Sequence, residues 1–303
     1  MDKTKIEKRV LGRTGLQVSV LGFGGAEIGY ERTQVEAVER LLGNALDAGL
    51  NVIDTAECYI DSEELIGNAV SHRRGEYYLF TKCGHSSGLD YPDWNPKLLT
   101  ESINRSLKRL KTDYLDLVQL HSCSADVLRS GEVIEVLQRA RDEGKTRFIG
   151  YSGDSEDALY AINSGAFDTL QTSVNVADQE ALELTLPIAH KQGMGVIAKR
   201  PVANAVWKHE TKPENPYVHA YWERLRKLNY DFLKMSFSEA VGISLRFTLT
   251  VPGVHTAIVG TTKPERWIEN AELLNQGHLS AEEFDAIRNR WKNVSEREWK
   301  GEV

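Results

Sequence analysis

The strongest constraint on this chain is a change of period that repeats along its whole length. Short apolar, β-branched runs alternate with longer helical patterns, and the alternation occurs eight times. The runs are "VSVLGFG" (18–24), "NVIDTA" (51–56), "YYLFTKC" (77–83), "YLDLVQLH" (114–121), "TRFIGYSG" (146–153), "DTLQTSV" (168–174), "GVIAKRP" (195–201) and "TAIVGTT" (256–262). Helical patterns fall at about 33–47, 62–70, 96–110, 133–145, 236–247 and 264–274, with shorter ones in "EDALYAINSG" and "ALELTLPIAHKQG". In 96–110 the apolar positions Leu98, Ile103, Leu107 and Leu110 keep helical spacing, and Gly49 and Gly144 sit where helices stop. The runs are too apolar for one wet face, so they predict parallel strands covered on both sides and joined by right-handed crossovers. Eight such units close most naturally into a (β/α)₈ barrel. An open doubly wound sheet would want G-x-G-x-x-G after its first strand, and in "GFGGAEIG" Glu27 stands where the third small residue belongs. The 303 residues are expected to form one domain, 1–303, because α/β barrels of this length run as one. Two segments fall outside the repeat: "VLGRTGLQVS" has the turn chemistry of a β-hairpin, and a polar, Trp-containing insertion spans about 202–235 after the seventh strand.

Catalytic groups of such a barrel gather where strands end and βα loops begin. The second strand ends in Asp54, with Tyr59 five residues on; the third delivers Lys82 and the fourth His121. The fifth ends at Ser152, the sixth passes through Gln171, and the seventh ends at Lys199 and Arg200. Each residue alone has an ordinary structural use, as loop cap, rim aromatic, solvated lysine or core histidine. Together the first four assemble a proton donor. A phenol has a pKa near 10, and an adjacent ammonium, Lys82, is expected to lower that of Tyr59. Asp54 would hold Lys82 charged and oriented, and His121 would hydrogen-bond a carbonyl oxygen beside Tyr59. Tyr59 then serves as a general acid for carbonyl reduction, the hydride coming from a cofactor.

These residues lie in motifs that resemble the aldo-keto reductases. "IDTAECY" is similar to that family's Asp-Thr-Ala-x-x-Tyr signature, "LFTK" to its lysine strand and "DYLDLVQLH" to its histidine strand. The resemblance extends through "LGRTGLQVSVLGFG", "EGKTRFIGYS" and "IVGTTKPERWIEN", in order along nearly the whole chain. It implies a (β/α)₈ barrel, NADP(H) as cofactor and Asp54, Tyr59, Lys82 and His121 as the catalytic tetrad.

The resemblance also implies cofactor contacts. Gly24 would let the nicotinamide approach, and Ser152 and Gln171 would bond its carboxamide. The asparagine that usually follows the serine is replaced by Gly153 and Asp154. Thr261, Lys263 and Arg266 match positions that meet an adenosine 2′-phosphate, where a guanidinium offers a bidentate fork. Glu269 and Asn270 match positions that meet adenine. The segment Lys199, Arg200, Pro201 and Val202 departs most, since many relatives carry a stacking tyrosine where Lys199 stands. Strand alternation would turn one of Lys199 and Arg200 to the cofactor and the other to the helix layer, with Arg200 matching a pyrophosphate contact.

Composition narrows the remaining choices. With 41% apolar residues and 8 prolines the chain can bury a large core, and its net charge of −7 gives no basic surface for nucleic acid. No stretch approaches the roughly 18 apolar residues of a membrane span, and "MDKTKIEKRV" lacks a leader's apolar centre. The expected setting is cytoplasmic, where the triplets at Asn104 and Asn293 stay unglycosylated. Cys58, Cys83 and Cys123 lack the close spacing of a metal or dithiol motif, so three free thiols and no metal are expected. All three flank catalytic positions, and Lys82 would lower a neighbouring thiol's pKa and make activity sensitive to thiol reagents. The partner is a small carbonyl or alcohol; its identity, the direction of reaction and the oligomeric state are not legible. Trp94, Trp207, Trp222 and Tyr30 are candidate pocket walls. A non-catalytic NADP(H)-binding redox sensor, like the ion-channel-associated relatives, is the alternative reading. A metal-dependent barrel hydrolase would need more ligands than Asp54 and His121.

Overall fold

The computed structural model describes residues 6–302. Residues 1–5, half of the stretch read above as lacking a leader, lie outside the described residues, as does residue 303. The chain opens with an antiparallel hairpin, β1 (Lys8–Val10) and β2 (Gln17–Ser19). Then come β3 (Leu21–Gly24), α1 (Ala26–Tyr30), α2 (Val35–Asp47), β4 (Val52–Asp54), α3 (Ser62–Val70), β5 (Tyr78–Cys83), α4 (Pro96–Arg109) and β6 (Leu115–His121). The middle comprises α5 (Ala125–Arg129), α6 (Glu132–Asp142), β7 (Thr146–Ser152), α7 (Ser155–Asn163), β8 (Thr169–Ser173), α8 (Glu180–Leu184), α9 (Leu186–Lys191) and β9 (Gly195–Lys199). After it follow α10 (His219–Leu228), α11 (Phe237–Thr250), β10 (Thr256–Gly260), α12 (Arg266–Leu273) and α13 (Ala281–Val294). Strands β3 to β10 pair in parallel and close in the order β10-β3-β4-β5-β6-β7-β8-β9. This is the expected (β/α)₈ barrel, with the hairpin outside it.

The helices form where local chemistry favours them. α2 buries Val38, Leu41, Leu42, Ala45 and Leu46, an i, i+3, i+4 stripe against the strands. α4 begins with Pro96 at its first turn, and the Asn95 side chain accepts from the Lys97 amide at 2.9 Å. Capping boxes start α11 (Ser236 with Glu239) and α13 (Ser280 with Glu283).

The run 18–24 is not one strand. Val18 and Ser19 pair with β1, whereas Leu21–Gly24 joins the barrel between β10 and β4. Apolar residues continue through Val20 and Leu21, but their alternation changes phase there, from Val18 and Val20 to Leu21 and Phe23, where the chain changes partner. The tertiary pin is Asn51: its Oδ1 accepts from the Ser19 amide at 2.6 Å and its Nδ2 donates to the Gln17 carbonyl at 2.7 Å.

The hairpin closes the end of the barrel away from the strand C-termini. Leu11, Leu16 and Val18 pack with Val52, Phe80, Leu117 and Ile197 in a separate apolar cluster inside the barrel. Those four strand residues have a common arithmetic. Two positions on, facing the same way, lie Asp54, Lys82, Gln119 and Lys199. A polar layer therefore rests on an apolar floor, and the hairpin keeps water from reaching it from below. Leu11 is fully buried, so Leu11→Ala should cost about 2–5 kcal/mol in urea unfolding. Catalytic turnover per folded molecule should stay unchanged, and a variant as stable as wild type would contradict the role of the hairpin as a floor.

Candidate active site

Asp54 and Lys82 meet inside the barrel, with side chains only 2% and 1% exposed. Lys82 Nζ lies 2.5 Å from Asp54 Oδ1 and donates to the Thr55 carbonyl at 2.8 Å. The other carboxylate oxygen accepts from Gln171 Nε2 at 2.9 Å and from Gln119 Nε2 at 3.3 Å. Two charges removed from water are thus each given several partners, the condition under which burial is tolerated.

Tyr59 reaches this pair from the loop after β4. Two reverse-turn bonds hold the loop, Tyr59 N to Ala56 O and Ser62 N to Tyr59 O, both 3.0 Å. Its base is clamped by buried Glu57, whose amide donates to the Lys82 carbonyl at 3.1 Å and whose carboxylate is bound by Arg105 and Arg109 of α4. The Tyr59 ring stands edge-on to His121, centroids 5.6 Å apart, and Lys82 Nζ is 5.2 Å from its centre.

The expected lowering of the Tyr59 pKa does not occur. Burial, and next the Asp54 carboxylate, push the phenol well above its usual value. Lys82 commits hydrogen bonds to Asp54 and Thr55, with none to the phenol. His121 moves the opposite way: burial first, then the Lys82 ammonium, hold its imidazole well below the usual histidine value. Both groups are neutral near pH 7, a phenol beside an uncharged imidazole.

A cavity of about 1190 Å³ opens from Tyr59 and His121 along the strand ends. Gly24, Ser152 and Gln171 line it near the tetrad, where Ser152 Oγ donates to Gln171 Oε1 at 3.1 Å. Thr261, Lys263, Arg266 and Asn270 line it as well. Glu269 faces an adjoining hollow of about 340 Å³ that shares Arg266 and Asn270, and its carboxylate is 3.2 Å from Arg266 Nε.

Lys199 and Arg200 do not divide between cofactor and helix layer as strand alternation would require. Both line the cavity, together with Pro201 and Val202. The strand ends at Lys199, and Arg200 has φ 55°, a left-handed turn that brings its side chain back to the same side. Each cation is held by residues without a motif signal. Lys199 Nζ is 2.7 Å from Asp154, whose carboxylate also accepts from Thr172 Oγ1 and the Ser173 amide. Arg200 donates to Tyr217 Oη at 2.8 Å, to Ser173 Oγ at 3.0 Å and to the Glu302 carbonyl at 2.5 Å. Tyr217 comes from the insertion and Glu302 from the segment after α13, so only tertiary structure could reveal them. Asp154 was visible only as the departure from asparagine. Glu27 and Glu31 also line the cavity, and Glu31 Oε2 accepts from Thr262 at 3.1 Å.

Of the four candidate walls, Tyr30 lines the cavity. Trp94 packs its ring over Gly84, where any Cβ would overlap it, and stands 5.3 Å from His85. Trp207 packs on Phe237, and Trp222 donates to the His209 carbonyl; these two belong to the packing of the insertion.

The cysteines do not share one rim. Cys83 and Cys123 are buried in the core between strands and helices. Only Cys58 reaches the site, its Sγ 3.3 Å from His121 Nδ1. Lys82 does lower its pKa, but burial outweighs that and pushes the thiol up to about 11. All three are free thiols, and among the described residues no three His, Cys, Asp or Glu side chains are placed to hold a metal. Iodoacetamide at pH about 7.5 should therefore label Cys58 more than about tenfold slower than a free cysteine. Labelling at the free-cysteine rate, followed by peptide mass analysis, would contradict the raised pKa.

Comparison with known proteins identifies the family. The model of the Aldo/keto reductase family matches residues 20–292. The chain is 30% identical to an L-galactose dehydrogenase of Arabidopsis thaliana, covering 96% of this chain and 97% of that one. It is 29% identical to the oxidoreductase YqkF of Bacillus subtilis, covering 95% and 97%. The holo form of aldo-keto reductase AKR11C1 from Bacillus halodurans superposes with a TM-score of 0.82 at 26% identity, over 97% of this chain and 99% of that one. Among the described residues, no helix is long and apolar enough to cross a membrane. The chain belongs to the aldo/keto reductase family of oxidoreductases.

Proposed function

We propose that the protein is an NADP(H)-dependent oxidoreductase that interconverts a small carbonyl compound and its alcohol. The observation that carries this reading is the convergence of two neutral groups, Tyr59 and His121, on a cavity that Lys263 and Arg266 also line. The cavity exceeds the roughly 300–1,000 Å³ of ordinary small-ligand sites, which suits a dinucleotide with a substrate beside it. Its cations Lys199, Arg200, Lys263 and Arg266 suit phosphate groups, and the Ser152–Gln171 pair offers a donor and an acceptor for a carboxamide. Lys263 and Arg266 would receive the 2′-phosphate, Glu269 and Asn270 the adenine, and Gly24 the nicotinamide. The carboxylates of Glu27 and Glu31 offset part of that positive charge, so discrimination against NAD(H) is modest.

When bound, the nicotinamide supplies or accepts the hydride. His121 donates a hydrogen bond to the carbonyl oxygen, and Tyr59 Oη delivers a proton to the same oxygen as negative charge develops there. A phenol held fully protonated suits reduction. Asp54 is the counter-charge that lets the Lys82 ammonium stay buried, 5.2 Å from the Tyr59 ring.

The substrate class is a polyhydroxylated carbonyl. The cavity lining mixes Tyr30 and Tyr217 with Asn204, Asn215 and Lys208, and a relative of the chain is an L-galactose dehydrogenase. Three unpaired thiols suit action in a reducing compartment, the cytoplasm. A non-catalytic sensor would have no use for a proton donor seated beside an imidazole.

NADPH absorbance followed with aldehydes, ketones and aldoses tests the reading. Turnover is expected with at least one class. Tyr59→Phe should lose about 10²–10⁴-fold in kcat/KM while still binding NADPH. Turnover equal to wild type in that variant would remove Tyr59 from the chemistry. NADPH binding without turnover of any carbonyl would favour the sensor.

A further inference from the structure

Tyr59 and His121 are both used by the proposed reaction, but a neutral imidazole is a useful donor only in one of its two tautomers. With the proton on Nδ1, the nitrogen left for the substrate carries a lone pair and repels a carbonyl oxygen. With the proton on Nε2, it donates. Which form is present is set by the bond that the other nitrogen makes.

Among the described residues, the hydrogen-bond partner of the His121 ring is Cys58, whose Sγ lies 3.3 Å from Nδ1. The remaining neighbours are ring contacts, Tyr59 at 5.6 Å and His85 at 5.3 Å between centroids, and these do not choose between tautomers. Burial keeps the thiol protonated across the neutral range. A thiol sulfur is a weak acceptor and an imidazole nitrogen a strong one, so the favourable arrangement is S–H donating to Nδ1. We propose that Cys58 is a positioning residue that locks His121 as the Nε2–H tautomer, leaving that N–H for the cavity the residue lines. The side chain next to the proton donor thus orients the second donor, and one loop sets both groups. The catalytic consequence rests on the reductase reading; the tautomer itself does not.

The test uses the full chain labelled with ¹⁵N at histidine, with His121 assigned by its loss in His121→Gln. Wild type should show the neutral Nε2–H form at pH about 7.5. Cys58→Ser, which keeps a donor, should show the same form and keep the kcat/KM of wild type. Cys58→Val, which removes it, should show both tautomers and lose kcat/KM in proportion to the Nε2–H fraction that disappears, about twofold for equal populations, with NADPH affinity unchanged by fluorescence titration. An Nδ1–H or charged His121 in wild type would overturn the proposal. So would a Cys58→Val protein that keeps the pure Nε2–H form. If the tautomer behaves as stated but no carbonyl is turned over by wild type, the reductase reading fails and the role of Cys58 in holding the ring stands.

Discussion

The buried ion pair between Lys82 and Asp54 is the constraint to which the rest of the structure answers. Removing an ammonium and a carboxylate from water costs several kcal/mol for each ion after relaxation. The barrel offsets that cost with a 2.5 Å contact, a backbone carbonyl and two glutamine amides from β6 and β8. It also has to keep water out. The apolar layer of Val52, Phe80, Leu117 and Ile197 beneath the pair, capped by Leu11, Leu16 and Val18 of the hairpin, does so from below. From above, the Tyr59 ring covers Lys82. Burial first, and then the Asp54 carboxylate, keep the proton on Tyr59.

The same logic of pre-paired charge extends along the cavity. Lys199 is held by Asp154, and Arg200 by Tyr217, Ser173 and the Glu302 carbonyl. Both side chains are fixed by partners within the chain, so under the proposed function little side-chain entropy would be lost on binding a phosphate. The insertion and the segment after α13 take part in this: Arg224 of α10 binds Glu302 and the Lys300 carbonyl, tying the two segments together behind the strand ends.

Much of this was legible because barrel geometry repeats. A parallel strand buried on both faces reads as an apolar run, and a polar residue that ends one stands out, as Asp54, Lys82 and His121 do. What escaped the sequence depends on partners far along the chain. The break at Val20 shows locally only as a shift of apolar phase between Val20 and Leu21, and the residue that pins Ser19, Asn51, lies 32 residues away. Arg200 defied strand alternation because its backbone leaves the strand. Cys58 looked reactive beside Lys82, but burial, which no spacing reports, set its pKa. The start of α13 does carry a local signal, the capping box of Ser280 and Glu283.

The central claim is that burial and the Asp54 carboxylate leave Tyr59 a protonated phenol at neutral pH. The direct measurement is the ¹³C shift of the tyrosine Cζ, titrated from about pH 6 to about pH 11, with Tyr59 assigned by its loss in Tyr59→Phe. Because its pKa is raised, the phenol stays protonated throughout the neutral range, and the account predicts no titration of Tyr59 below about pH 10. A midpoint near neutrality would show that Lys82 acts on the phenol rather than on Asp54, and would contradict it.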